Sequence, residues 1–209
     1  MKPDNTRDTI LAAAKQLFVQ YGYEKTTMND IANAAHKAKG SIYYNFKSKL
    51  EIYSELLETE LESVVKELTD KNIYYATSAH LVGERLKYYL SHRMEVLNGS
   101  ALCRQAIMEQ HSCKDEELSR KIDDIRMAID RKERHFFSEV CSRGRKISVL
   151  PRQVSPDSFA DMMIMVLKSL EVQFFAQDRY AELKKTYDCM LEVLVSNTIA
   201  SRSSFTPII

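Results

Sequence analysis

The sequence predicts an all-α protein in which a small N-terminal three-helix domain with a helix-turn-helix precedes a larger helical domain. Three observations predict it. Glycine and proline together number only nine in 209 residues, about a third of the usual share of roughly 12%. A sandwich, a barrel or a doubly wound sheet needs many more turns than that. Apolar residues recur at helical spacing in segment after segment. A content of 44% hydrophobic and 28% charged residues can fill a core, while the longest apolar run, Met162 to Leu167, is closed by Asp161 and Lys168. That is far below the roughly 18 residues a membrane span requires.

The elements follow in order. Asp4, Asn5 and Thr6 offer caps to a first helix striped by Ile10, Leu11, Ala14, Leu17 and Phe18. Gly22 is placed to stop it, with Tyr23 packing back on Phe18. Thr27 and Asp30 start a second helix whose apolar face is Met28, Ile31, Ala32 and Ala35. The interval His36-Lys37-Ala38 leads to a third segment, Lys39 to Phe46. Ser48 and Glu51 form a capping box opening a long fourth helix through Leu50, Tyr53, Leu57, Leu61, Val64 and Leu68. Two short helices joined by three residues and braced by a first make a helix-turn-helix. The expected domains are therefore residues 1–49 and 50–209. In the second, periodic segments run from Ala79 to Leu97, Ser100 to His111 and Asp115 to Arg143. A break at 144–156 includes the one plausible extended stretch, Ile147 to Leu150. Closing helices at 157–176 and 180–200 precede a polar tail, Ser201 to Thr206.

Charge divides the chain at the same place. Residues 1–50 hold eight Lys or Arg and four acids, whereas the remainder is slightly acidic. A basic head on an acidic body points to nucleic acid, the alternative being a merely solvated face. The third segment sharpens this. Tyr43, Tyr44 and Asn45 are consecutive, so they spread over about 200° of helix circumference, and Ile42 with Phe46 already takes the core side. Two outward tyrosines beside Lys39, Lys47 and Lys49 suit a groove, with hydroxyls for phosphates and rings for thymine methyls. The alternative is that one tyrosine packs under the first helix. Lys49 stands at a helix start, where the dipole disfavours a cation unless an anion is present.

The stretch Ile10 to Lys49, with Leu17-Phe18, Gly22-Tyr23, Thr26-Thr27, Ile31-Ala32 and Lys39-Gly40-Ser41-Ile42-Tyr43-Tyr44-Asn45-Phe46-Lys47-Ser48-Lys49, resembles the DNA-binding domain of TetR-family transcriptional regulators. The resemblance implies a homodimer whose two heads bind a palindromic double-stranded operator, controlled by a small-molecule effector in a helical ligand-binding and dimerisation domain. Carried across, it gives Lys39, Gly40, Ser41 and Tyr43 to bases or adjoining backbone, and Thr27, Tyr44, Asn45 and Lys49 to phosphates. It also implies that the last two helices form a four-helix interface with their copies, through Met162, Val166, Leu170, Leu183, Met190 and Leu194. Two departures stand out. His36 occupies a position where the family usually has glycine, which implies a strained turn, and Ala38 replaces a Ser or Thr cap at a cost of about 1 kcal/mol.

Other chemistry is not indicated. Cys103, His111 and Cys113 share no helical face, and no C-x-x-C or H-E-x-x-H spacing occurs, so no metal and no cofactor is expected. Either Cys103 or Cys113 as a redox sensor stays open, without support. No nucleophile elbow or phosphate-cradling glycine loop is present, and the chain is not expected to be an enzyme. An enzyme in a helical cavity, or control by a protein partner, are the competing readings. Met108, Met127, Met163 and Phe174 are candidates for lining an adaptable apolar effector cavity, plain packing being the alternative. Four cysteines and a polar N-terminus lead to the expectation of reduced thiols, a cytoplasmic location and no membrane partner.

Overall fold

The computed structural model describes residues 6–69, 79–112, 114–146 and 153–200, with backbone alone for 79–81 and 194–200. The elements are α1 (Thr6–Lys25), α2 (Met28–Ala34), α3 (Lys39–Asn45), α4 (Lys49–Thr69), α5 (Ala79–Gly99), α6 (Ala101–Ser112), α7 (Glu116–Lys146), α8 (Pro156–Glu171) and α9 (Tyr180–Ala200). A π-helical turn, Val172–Ala176, follows α8 directly. Among the described residues there is no strand, and no helix is long and apolar enough to cross a membrane. The predicted caps Asp4 and Asn5, the stretch Ile147 to Leu150, Cys113, and the tail from Ser201 lie outside the described residues.

Two compact units are present: residues 1–62 with 100–126, and 63–99 with 127–209. The helices α4 and α7 contribute residues to both.

The first unit is the head. Its α1 packs on α2 and on α6, and α2 packs on α3. The core is Ile10, Ala14, Phe18, Ile31, Ile42, Phe46, Ile52 and Leu57, joined by Leu102, Ala106 and Ile107 of α6. Gly22 has φ 84 and ψ 166, a region that is essentially glycine-only. The chain kinks there and adds one more turn through Lys25, so Gly22 bends α1 where the sequence predicts a stop. The bend turns Tyr23 back onto Phe18, with ring centroids 5.9 Å apart, and both rings meet Tyr53 of α4 edge-on at 5.1 and 5.2 Å.

In the second unit α5 packs on α9, and the π-turn packs on α8 and α9. Tyr89, Phe137, Val140, Leu167 and Phe174 are buried there, and the Tyr187 hydroxyl donates to the Leu90 carbonyl at 2.8 Å. Charges are buried as well. Arg93 donates to both Glu133 oxygens at 2.6 and 3.0 Å and lies 2.6 Å from Glu171. The Tyr89 hydroxyl adds a 2.5 Å bond to Glu133. This pairing holds the Arg93 guanidinium firmly charged despite its burial.

Candidate nucleic-acid interface

The helix-turn-helix is built from local chemistry. Thr27 caps α2 in a full capping box: the Asp30 N–H donates to Thr27 Oγ1 at 3.2 Å, and the Thr27 N–H donates to Asp30 Oδ2 at 2.9 Å. The Thr27 hydroxyl, and after it the Thr27 N–H, donate to the Asp30 carboxylate and hold it below its ordinary range. The turn carries His36 at φ 52, the strained left-handed conformation that the departure from glycine implies. Ala38 caps α3 with no side-chain bond. At the start of α4, the Glu51 N–H donates to Ser48 Oγ at 3.1 Å. The reciprocal bond comes from the Lys47 N–H, at 2.6 Å to Glu51 Oε2, one residue earlier than a standard box would place it.

On α3, Ile42 is buried while Lys39, Gly40, Tyr43 and Tyr44 face outward. Tyr43 is 47% exposed and Tyr44 91% exposed, so neither packs under α1. A Cβ built at Gly40 meets nothing within 4 Å, and its φ lies outside the left-handed region. Nothing within the protein therefore requires glycine there. Lys39 stands 5.9 Å from the Tyr43 ring, and among the described residues neither Lys39 nor Lys47 has an acidic partner. Ser41 is half-buried, and its carbonyl accepts from Asn45 Nδ2 at 2.8 Å, leaving the second amide proton of Asn45 to donate elsewhere. The Thr27 hydroxyl donates to Asp30 at 2.6 Å, so toward a phosphate Thr27 must first turn that hydroxyl.

Lys49 has an internal use that the sequence did not reveal. Its ammonium donates to the Tyr23 carbonyl at 2.7 Å and lies 4.0 Å over the Tyr23 ring. It thus serves the last turn of α1, and burial pulls its pKa down. Beside it the Tyr53 hydroxyl donates to Glu109 of α6 at 2.7 Å. Burial raises the Glu109 carboxyl above its ordinary range. Arg7, on the same surface as α3, was also not foreseen: it pairs with Glu55 and donates to the Asn45 carbonyl at 3.0 Å. Its partners lie 38 and 48 residues away in sequence, so no local spacing could have found them.

The remaining candidates divide. Met163 and Phe174 are buried in the second unit, at 8% and 1% exposure. Met108 and Met127, expected at a cavity, lie at the surface instead, at 46% and 48%. Helical spacing identifies a stripe but not which side of the helix is covered. Of the interface candidates, Met162, Val166 and Met190 are 46%, 40% and 38% exposed, and Leu170 and Leu183 are partly exposed. Met165 of α8 and Val193 of α9 are also exposed, at 64% and 54%. The Leu194 side chain lies outside the described residues. Cys103 is buried.

The helix-turn-helix region and the fold are similar to those of known proteins. Residues 10–56 match the family model described as bacterial regulatory proteins, tetR family. The HTH-type transcriptional regulator QacR of Staphylococcus aureus is 32% identical over 92 residues, covering 44% of this chain and 46% of QacR. The chain thus spans less than half the length of that relative. Among solved structures, SmeT of Stenotrophomonas maltophilia in complex with triclosan superposes with a TM-score of 0.70 at 20% identity, over 99% of this chain and 95% of SmeT. FadR of Bacillus subtilis in complex with stearoyl-CoA gives 0.66 at 21%, over 90% and 97%.

Proposed function

We propose that this chain, a TetR-family transcriptional regulator by its residues 10–56 and its fold, is a repressor that grips a palindromic operator as a homodimer and is released by a small-molecule effector. The observation that carries the DNA reading is α3: a short helix that turns Lys39, Gly40, Tyr43 and Tyr44 outward and is anchored by Ile42. A buried Tyr43 or Tyr44 would have argued against it. In this reading Tyr43 offers its ring to a thymine methyl, and Gly40 lets the helix backbone approach the groove. Ser41 and Lys39 reach base edges or adjoining backbone, while Tyr44, Asn45 and Thr27 hold phosphates. Lys49 joins them if its ammonium leaves the Tyr23 carbonyl.

The exposed apolar stripes of α8 and α9 support pairing with a second copy, and one head reads only half a site. SmeT was solved with triclosan and FadR with stearoyl-CoA, and for this chain an apolar ligand suits the helical core around Met163 and Phe174. Such a regulator works in the cytoplasm. Fluorescence anisotropy against salt tests the DNA reading. About four phosphate contacts per head give roughly eight per dimer and a slope of log K on log salt near −7. A slope shallower than about −3 would mean that α3 and its lysines are not the binding surface.

A further inference from the structure

We propose that Arg7 is a positioning residue for DNA recognition: it fixes the direction of α3 without touching DNA. This rests on the reading of α3 as the groove element. The helix α3 is seven residues long, too short to be stable alone. It has no side-chain cap at its start, it contains Gly40, and the turn before it holds His36 at φ 52. Its apolar anchors are Ile42 and, just past its end, Phe46, at 0% and 1% exposure. Two anchors define a line, and a body held along a line can still roll about it. Rolling is the motion that would carry Tyr43 and Tyr44 away from a groove.

Arg7 supplies the third point. Nη1 donates to the Asn45 carbonyl at 3.0 Å, at the C-terminal end of α3 where a cation is favoured. The guanidinium carbon lies 4.2 Å from the centre of the Phe46 ring. The remaining edge meets Glu55 of α4 fork to fork, with Nε 3.2 Å from Oε1 and Nη2 on Oε2. One planar group therefore joins α1, the end of α3 and α4. Lysine cannot do this, because it is a point charge without a fork. The Arg7 and Glu55 side chains are 45% and 33% exposed, so the ion pair adds little stability. What it sets is orientation.

The test uses the full chain and two duplexes of roughly 30 base pairs, long enough for two half-sites. One is selected by the wild type from a random pool, and the other is random sequence. Arg7→Lys is expected to weaken the selected duplex by about tenfold or more and the random duplex by less than about twofold, with an unchanged salt slope from about 50 to about 200 mM. Amide exchange at residues 39–46 should rise while that of α1 and α4 does not. Glu55→Gln, which leaves the Asn45 and Phe46 contacts of Arg7 in place, should lower the ratio of selected to random affinity by less; this variant carries the test if Arg7→Lys loses helical circular dichroism. Equal losses on both duplexes, with a slope shallower by about one per head, would make Arg7 a phosphate ligand and overturn the proposal. So would unchanged ratios in both variants. If the wild type selects no duplex, the reading of α3 itself fails; if it selects one and the variants match it, the role of Arg7 alone fails.

Discussion

Alanine at Gly40 is expected to make the free protein slightly more stable and its DNA complex much weaker. The added Cβ meets no atom within 4 Å, and the backbone is one that any residue adopts. Glycine costs a helix about 0.5–1 kcal/mol relative to alanine. Gly40 is the second residue of α3, so the lower end, about 0.5 kcal/mol, is the better figure. For a chain of this size that raises the Tm by about 1–2 °C. If the α3 backbone lies against the duplex, the same methyl must force a gap there. Overpacking of one methyl costs about 1–3 kcal/mol, or roughly five- to 150-fold in affinity per head. Gly99 is the control, because a Cβ there also meets nothing within 4 Å and it lies at the end of α5, away from α3 in sequence and unit. Gly99→Ala should leave DNA affinity unchanged. Differential scanning calorimetry gives the stability, and anisotropy with a selected duplex gives the affinity. A Gly40→Ala protein that binds as tightly as the wild type would refute the close approach, and with it the reason offered for a glycine at this position.

Ala38→Ser should provide the missing cap of α3 and stabilise the head by about 1 kcal/mol, measured as a rise in urea midpoint with an unchanged m value. Val166→Arg should leave the fold of the single chain within about 0.5 kcal/mol, because the position is 40% exposed. It should nevertheless turn a dimer into a monomer by light scattering, since an unpaired charge would be buried on pairing; a variant that stays dimeric moves the interface elsewhere. Glu109→Gln bears on pH. Burial raises the Glu109 pKa in the fold, so the stability its protonated form contributes is fully present below the unfolded value and is lost as pH rises through the folded value. Glutamine still accepts from the Tyr53 hydroxyl and carries no charge, so its advantage over wild type should grow from about pH 4.5 upward and then level off. Urea unfolding at several pH values checks this, and an advantage that shrinks with rising pH would contradict the assignment.

What the sequence could tell was what depends on neighbours in the chain. The Thr27–Asp30 box and the packing of Tyr23 back on Phe18 are set within a few residues, while the strain at His36 was implied by the family resemblance. The outward tyrosines of α3 were legible for a related reason, since three consecutive positions cannot all face one core. Contacts that depend on chain return were not legible. Lys49 reaches the Tyr23 carbonyl 26 residues back, and Arg7 reaches Asn45 38 residues on. Arg93, Glu133 and Glu171, from three different helices, are brought together only by folding. Met108 and Met127 mark the opposite limit: their composition suggested a cavity, and only the neighbouring helices decided that they stay outside.

Two carboxylates on one guanidinium also constrain how the second unit can change its sequence. Arg93 sits on α5, Glu133 on α7 and Glu171 at the last residue of α8, so one guanidinium ties three helices together at these positions. A slip of one residue along any of them is about 1.5 Å, enough to break the 2.6 and 3.0 Å fork between Arg93 and Glu133. Removing one member strands a buried charge at about 3–5 kcal/mol, whereas replacing the whole set by apolar residues of similar volume is often neutral or better. The ionic and the apolar versions of this core are thus two stable states of the sequence with an unstable chain between them. Substitution one residue at a time does not cross that gap, and related chains are expected to hold all three charges or none.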